Sequence, residues 1–158
     1  MKNSSRAQKI RALTFQRCGI PFGVDVAQVR EIRIFEDLRP LALAIHPLIG
    51  LVLYGDQILP VLDPHAFGSA QRRPVGRPLT TIVCEQGDVG FALVADAIAD
   101  QVDVGATQIQ RRANTDAVWL HGEVEAADKR KFLLLAANEI AHRLNGARAV
   151  EEGALQAV

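Results

Sequence analysis

Cysteine, aromatic rings, net charge and long apolar runs are all scarce in this sequence, and each scarcity closes off a class of protein. Two cysteines in 158 residues, Cys18 and Cys84, are too few for a disulfide framework and fit packed thiols in a reducing compartment. Lysine plus arginine and aspartate plus glutamate each total 18, which leaves no net basic surface for sequence-independent binding to nucleic acid. One Trp and one Tyr, Trp119 and Tyr54, do not make a base-stacking platform. Trp119, between Val118 and Leu120, is expected in the core, and Tyr54 half exposed. The longest apolar stretches, 41–45 and 133–137, fall far short of the roughly 20 residues a membrane helix needs. The N-terminus carries Lys2, Arg6, Lys9 and Arg11 and no apolar run of the secretory type, so a cytosolic protein is expected.

What remains is a series of strand-like runs separated by turn signals. "RALTFQR" alternates Ala12, Thr14 and Gln16 with Leu13 and Phe15, and Cys18-Gly19 turns it into "PFGVDV". Residues 36–49 hold Pro40 and Pro47 and suit an irregular crossing. In "GLVLYGDQILPVLD", Gly55-Asp56 fits a two-residue type II′ hairpin. Pro60 marks its second strand as an edge or a bulge, because proline cannot donate to a ladder. "LTTIVCE" and "GFALVADAIADQVDV" follow around Gln86-Gly87-Asp88, then "AVWLHGEVE" and "KFLLLA" around the polar turn 126–131. A helix fits 138–144, with Ile140 and Leu144 on one face and Asn145-Gly146 as its stop. The last dozen residues have weak periodicity.

Residues 68–78, "GSAQRRPVGRP", have almost nothing to bury and read as a linker. The expected organisation is a single domain over 1–158. It has one lobe at about 13–67, a second at about 79–145 and a tail at 146–158. No convincing sequence repeat relates the halves. The fold class is mainly β, two small barrels or curled sheets packed together.

Groups for chemistry are thin. His46, His65, His121 and His142 have no second His or Cys at metal-ligand spacing, so no metal or other cofactor is expected. His46 and His65 read as loop residues, and His142 is placed to offset the end of the helix. Asp63 precedes Pro64 as a turn former, and Asp96 lies among apolar neighbours, where backbone or arginine donors usually satisfy a carboxylate. No phosphate-cradling glycine loop, G-x-S-x-G elbow or Cys–His signature occurs. A small enzyme or ligand-binding protein would have to use Asp63, Asp96 and the scattered histidines.

"FGVDVAQVREIR", "GLVLYGDQILPVLD", "GFALVADAI" and "WLHGEVE…KFLLLAANEI" together resemble the CheW-like coupling proteins of bacterial chemotaxis, from about Leu13 to Leu144. The resemblance implies two intertwined five-stranded, SH3-like β-barrel lobes and a short C-terminal helix. It also implies a non-catalytic, cytoplasmic adaptor between a methyl-accepting chemoreceptor's cytoplasmic tip and the regulatory domain of a CheA-type histidine kinase. Carried over by motif, the receptor interface comprises Val29, Glu31, Ile32 and Gly50. The kinase interface comprises Leu53, Tyr54, Gly55, Asp56 and Ile58. Two positions depart from the family. Its hairpin usually reads Asn-Leu-Arg-Gly, whereas this chain has Leu53-Tyr54-Gly55-Asp56. Its closing strand commonly ends Leu-Leu-Asp, whereas this one has Leu134-Leu135-Ala136. The departures open an alternative, a divergent adaptor serving surface or type IV pilus motility or another client. The charges of "VREIRIF" then have a use: apolar positions give contact area, while Arg30, Glu31 and Arg33 fix register and reject wrong partners.

Overall fold

The computed structural model describes residues 9–41, 47–67, 74–111 and 119–156, with side chains described as far as Gly146. His46 and most of the expected linker lie outside the described residues. β1 (Ile10–Arg17) and β2 (Ile20–Asp25) form the first hairpin. Cys18 and Gly19 at its turn have φ of 53° and 75°, the left-handed pair a type I′ turn requires. A 3-10 turn at Val26–Gln28 follows, capped by the Asp25 carboxylate, which accepts from the Ala27 N–H at 3.0 Å. This turn is why the alternation breaks after Val26. It carries the chain from one sheet into the other, where β3 (Val29–Phe35) begins.

The remaining strands are β4 (Arg39–Pro40), β5 (Leu48–Tyr54), β6 (Gln57–Leu62), β7 (Leu79–Gln86), β8 (Val89–Val94), β9 (Ala97–Val104), β10 (Ile109–Gln110), β11 (Leu120–Glu125) and β12 (Lys131–Leu135). They form two six-stranded sheets. Sheet I has the order β10-β11-β12-β2-β1-β9, and sheet II the order β3-β7-β8-β6-β5-β4. In each, five strands carry the structure and a two-residue strand sits at an edge. The division at 68–78 is not the division between the sheets. Sheet I takes β1 and β2 from the first half, sheet II takes β7 and β8 from the second, and parallel ladders β12–β2 and β6–β8 stitch the halves together.

Replacing β1–β6 by β7–β12, and the reverse, converts one sheet order into the other. The halves are therefore topological repeats without sequence similarity. Register defects repeat as well, with irregularities at Val29/Glu31 and Leu13/Phe15 and at Leu48/Gly50 and Leu120/Gly122. A Cβ on Gly50 would lie 2.5 Å from the Arg39 carbonyl oxygen, and one on Gly122 would lie 2.4 Å from that of Gln110. Both glycines admit the short edge strand at the same place in the repeat.

Both sheets curl. Phe35 and Arg39 lie at opposite edges of sheet II but only four residues apart, a reach of about 14 Å at most. A flat six-stranded sheet spans about 24 Å. All five long strands of sheet II point side chains into one core of Phe35, Val52, Leu59, Val61, Leu79, Val83, Ala92 and Val94. Sheet I encloses Ala12, Val104, Val124, Ala126, Phe132 and Leu134. A third core lies between the sheets, where Leu13, Phe15, Phe22 and Val24 meet Leu62, Ile82, Phe91 and Leu93. β1 is thus buried on both faces, and the alternation read in "RALTFQR" separates two cores rather than core from solvent.

Three local expectations change. Pro60 lies in an interior strand, not at an edge. Counted from the turn, Leu51–Pro60 is a non-hydrogen-bonded pair, and the β8 ladder begins only at Val61, so no bond requires the missing N–H. Helix α1 runs from Ala137 to Gln156, past Asn145-Gly146, so His142 sits mid-helix and does not offset a helix end. Gly146 has open space and no left-handed φ. Cys84 is buried as expected, whereas Cys18 is only half buried in its turn.

Candidate protein-docking face

The two candidate carboxylates do converge, on a guanidinium the sequence reading passed over. Arg17, at the end of β1, donates through Nε and Nη2 to Asp63 Oδ1 and Oδ2, both at 2.9 Å. It also donates through Nη1 to Asp96 Oδ1 at 3.1 Å and through Nη2 to the Pro74 carbonyl at 3.1 Å. Asp63 further accepts the His65 N–H at 3.0 Å, and Asp96 accepts the Cys18 N–H at 2.7 Å. Hydrogen bonds to Asp63 hold the Arg17 pKa above its ordinary value. A permanently charged arginine and the carboxylates it bonds form a clamp between sheets.

The histidines do not join it as a site. His65 is buried in a 3-10 turn at Pro64–Phe67, with no partner for Nδ1 among the described residues, while His121 and His142 are exposed. Among the described residues no group of three or more His, Cys, Asp or Glu is arranged to hold a metal. The open depression lined by Ala27, Gln28, Val29, Arg30, Glu85 and Gly87 has its charges already joined as the Arg30–Glu85 ion pair. Trp119, expected in the core, is only half buried: it packs against the inter-sheet core and stacks on Phe67 at 5.3 Å.

The outer face of sheet II is different. Ile32 and Ile34 on β3 are 50% and 60% exposed, and Leu53 and Ile58 at the hairpin are 66% and 67% exposed. Ile32 pairs with Ile82 and so shares the face that enters the inter-sheet core. Along β6 the same face passes from exposed Ile58 through half-buried Pro60 to buried Leu62. Leu53 and Ile58 are a directly opposed pair. Gly55 at the turn has φ 61° while Asp56 does not enter positive φ, as a type II′ turn needs. Each aliphatic left in water forgoes about 1.5–3 kcal/mol that full burial would return.

The other sequence-assigned residues lie around this face. Val29 is half buried against the inter-sheet core. Glu31 and Arg33 point to the inner side of β3, joined by an ion pair at 3.3 Å. The Arg33 guanidinium carbon lies 5.0 Å from the centre of the Tyr54 ring and 5.5 Å from that of Phe35. Phe35 and Tyr54 meet edge-to-face at 6.4 Å, which brings β3 alongside β5 across the seam of the curled sheet. Tyr54 is half exposed, as its position predicts. Gly50 is buried beneath β4, so its place is one of backbone approach.

The repeat shows whether the fold itself demands exposed aliphatics here. Aligned through the hairpin turns and paired registers, Ile32 and Ile34 correspond to Gln101 and Asp103. Aligned through Gly50 and Gly122, Leu53 and Ile58 correspond to Glu125 and Lys131, also directly opposed. The same four places are polar in sheet I. Their apolar character in sheet II is a property of the surface, not of the architecture.

A CheW-like domain model matches residues 11–145. The chain belongs to the CheW-like family. The CheW-like fold is also that of a solved structure, the scaffolding protein TtCheW of Thermoanaerobacter tengcongensis. That match has a TM-score of 0.67 and 15% identity, covering 86% of this chain and 90% of that one. No curated protein sequence matches the chain. Membership of the CheW-like family supports a non-catalytic scaffold or adaptor of the chemotaxis type. No helix among the described residues is long and apolar enough to cross a membrane.

Proposed function

We propose that this CheW-like chain is a cytoplasmic adaptor that joins a chemoreceptor's cytoplasmic tip to the regulatory domain of a CheA-type histidine kinase and catalyses nothing. Each curled sheet acts in this reading as a closed barrel lobe. Val29, Glu31, Ile32 and Gly50 belong to the receptor contact, and Leu53, Tyr54, Gly55, Asp56 and Ile58 to the kinase contact. The observation that carries it is the exposure of Ile32, Ile34, Leu53 and Ile58 where the other half of the repeat is polar. Covering those side chains supplies contact area, and the flanking charges supply selection among partners.

Titrating the full chain with the kinase regulatory domain and with the receptor tip from the same genome tests this. Binding at or below tens of micromolar to both is the expected result. No binding to either ends the coupling reading.

Gly55 favours a second reading, a divergent adaptor for a motility system or another client. The family's arginine position is occupied here by a residue at φ 61°, a conformation that disfavours any L side chain. The hairpin is therefore built around the glycine, and simply restoring arginine would strain the turn. Titration against regulatory domains of chemotaxis kinases and of surface-motility kinases separates the two readings by which binds more tightly.

A further inference from the structure

Two segments that flank the seam of sheet II remain unassigned, Ile34 on β3 and Arg39 on β4. Arg33 and Phe35 meet Tyr54 on the inner side, so Ile34 and Leu53, the intervening neighbours, face outward on the two sides of the same seam. Four residues beyond Phe35, Arg39 pairs with Leu51 in the β4–β5 ladder. That register puts its side chain on the face of Leu51 and Leu53. Arg39 is exposed. Arg11, Arg17, Arg30, Arg33 and Arg130 each hold a carboxylate of this chain, whereas Arg39 makes no ion pair with any described residue. Glu36 and Asp37, exposed in the connection before it, do not pair with it either.

We propose that the outer face of sheet II on both sides of the seam is one continuous docking surface, centred on Ile34 and Leu53 with Arg39 as its ionic contact, whose occupant is a protein segment presenting apolar side chains and a carboxylate. The inference rests on the adaptor reading and deepens it by adding two residues and the chemistry of the partner. Charge complementarity selects the occupant. The cation aimed at the aliphatic face has no counter-charge among the described residues, and an apolar segment bearing Asp or Glu satisfies both features together. The repeat again provides the comparison. Arg39 corresponds to Gln110, and at the matching face of sheet I Asp103 is already held by Arg11 at 3.3 Å.

The test titrates the full chain with the regulatory domain of the CheA-type kinase from the same genome, by calorimetry, after circular dichroism has shown that each exposed-site variant is folded. Ile34→Ser, Leu53→Ser and Arg39→Glu are each expected to weaken binding at least tenfold. Arg39→Lys should stay within a few-fold of wild type, and Gln101→Ala and Glu125→Ala should leave affinity unchanged. The Arg39→Glu loss should shrink as salt rises, because the contact is ionic. Wild-type binding that none of the three seam variants weakens overturns this inference and leaves the adaptor reading standing. Absence of wild-type binding to both kinase domain and receptor tip overturns the adaptor reading and this inference with it. A dimer of the chain alone that Ile34→Ser dissociates overturns the choice of occupant.

Discussion

Arg17 and Asp63 illustrate how a buried charge is tolerated. Their side chains are only 3% and 4% exposed, and desolvating two ions costs several kcal/mol each unless the pair is well formed and otherwise satisfied. Here the fork is bidentate, Arg17 bonds further to Asp96 and Pro74, and Asp63 also accepts the His65 N–H. Asp63→Ala, which strands the guanidinium, is expected to lower unfolding stability by about 3–5 kcal/mol, measured in urea. Arg17→Met with Asp63→Leu should cost much less than that single change, since it removes both ions. Cys84 offers a second check. Burial pushes its thiol up to about 12, so the unfolded chain releases that proton first as pH rises. Stability contributed by the neutral buried thiol is therefore full below about 8.5 and is lost as pH climbs toward the folded value. Unfolding free energy should fall over that window, with a shallower fall in Cys84→Ala. At pH 8 a thiol reagent should label Cys18 in the native protein and Cys84 only after denaturation. Only part of the clamp was legible in the sequence: Asp96 does take a backbone and an arginine donor and Asp63 does bond to the backbone of its turn, but the arginine that joins them was not foreseen. Asp63 and Asp96 stood out as carboxylates, but Arg17 sits at the end of an ordinary strand, and its partners are 46 and 79 positions away.

At the scale of elements, local chemistry was legible wherever a turn was short. Cys18-Gly19, Gly55-Asp56 and Gly87-Asp88 each join paired strands, because positive φ at these positions is written in the glycine and its neighbour. Sheet order was not legible. Pro60 signalled an edge, yet its missing donor falls where no ladder needs it, a fact that depends on which strand arrives beside β6. The helix stop failed for a similar reason: Asn145-Gly146 is a signal only if the glycine turns left-handed, and it does not. Gly146→Ala is therefore expected to stabilise the protein by about 0.5–1 kcal/mol, read as a raised thermal midpoint; a true C-cap there would give a loss. Gly50→Ala and Gly122→Ala should both be destabilising, since each Cβ would strike a backbone carbonyl in the adjoining short strand. Gly122 adds backbone strain at φ 154°. Comparable losses in denaturant unfolding would bear out their equivalence in the repeat.

At the scale of the molecule, two halves with no evident sequence similarity fold to one repeated topology and exchange hairpins. The family resemblance carried the intertwined arrangement, but composition and periodicity did not, because the parallel ladders join strands far apart in sequence. The repeat singles out the outer face of sheet II. A single curled sheet with four exposed aliphatics is unremarkable alone, whereas one whose counterpart carries Gln101, Asp103, Glu125 and Lys131 supports the proposal of a partner-facing side. The stretch "VREIRIF" was expected to offer apolar contact area with charges between; Ile32 and Ile34 do look outward, while Glu31 and Arg33 turn to the inner side near Tyr54.

The most direct measurement follows backbone amide resonances of the isotopically labelled full chain as the regulatory domain of a CheA-type kinase and a receptor-tip fragment are added. Expected are shifts concentrated on β3, β4 and the β5–β6 hairpin, with β9, β11 and β12 unmoved. Saturable shifts confined to sheet I, with Ile34, Arg39, Leu53 and Ile58 unchanged, would contradict the assignment of function to the outer face of sheet II.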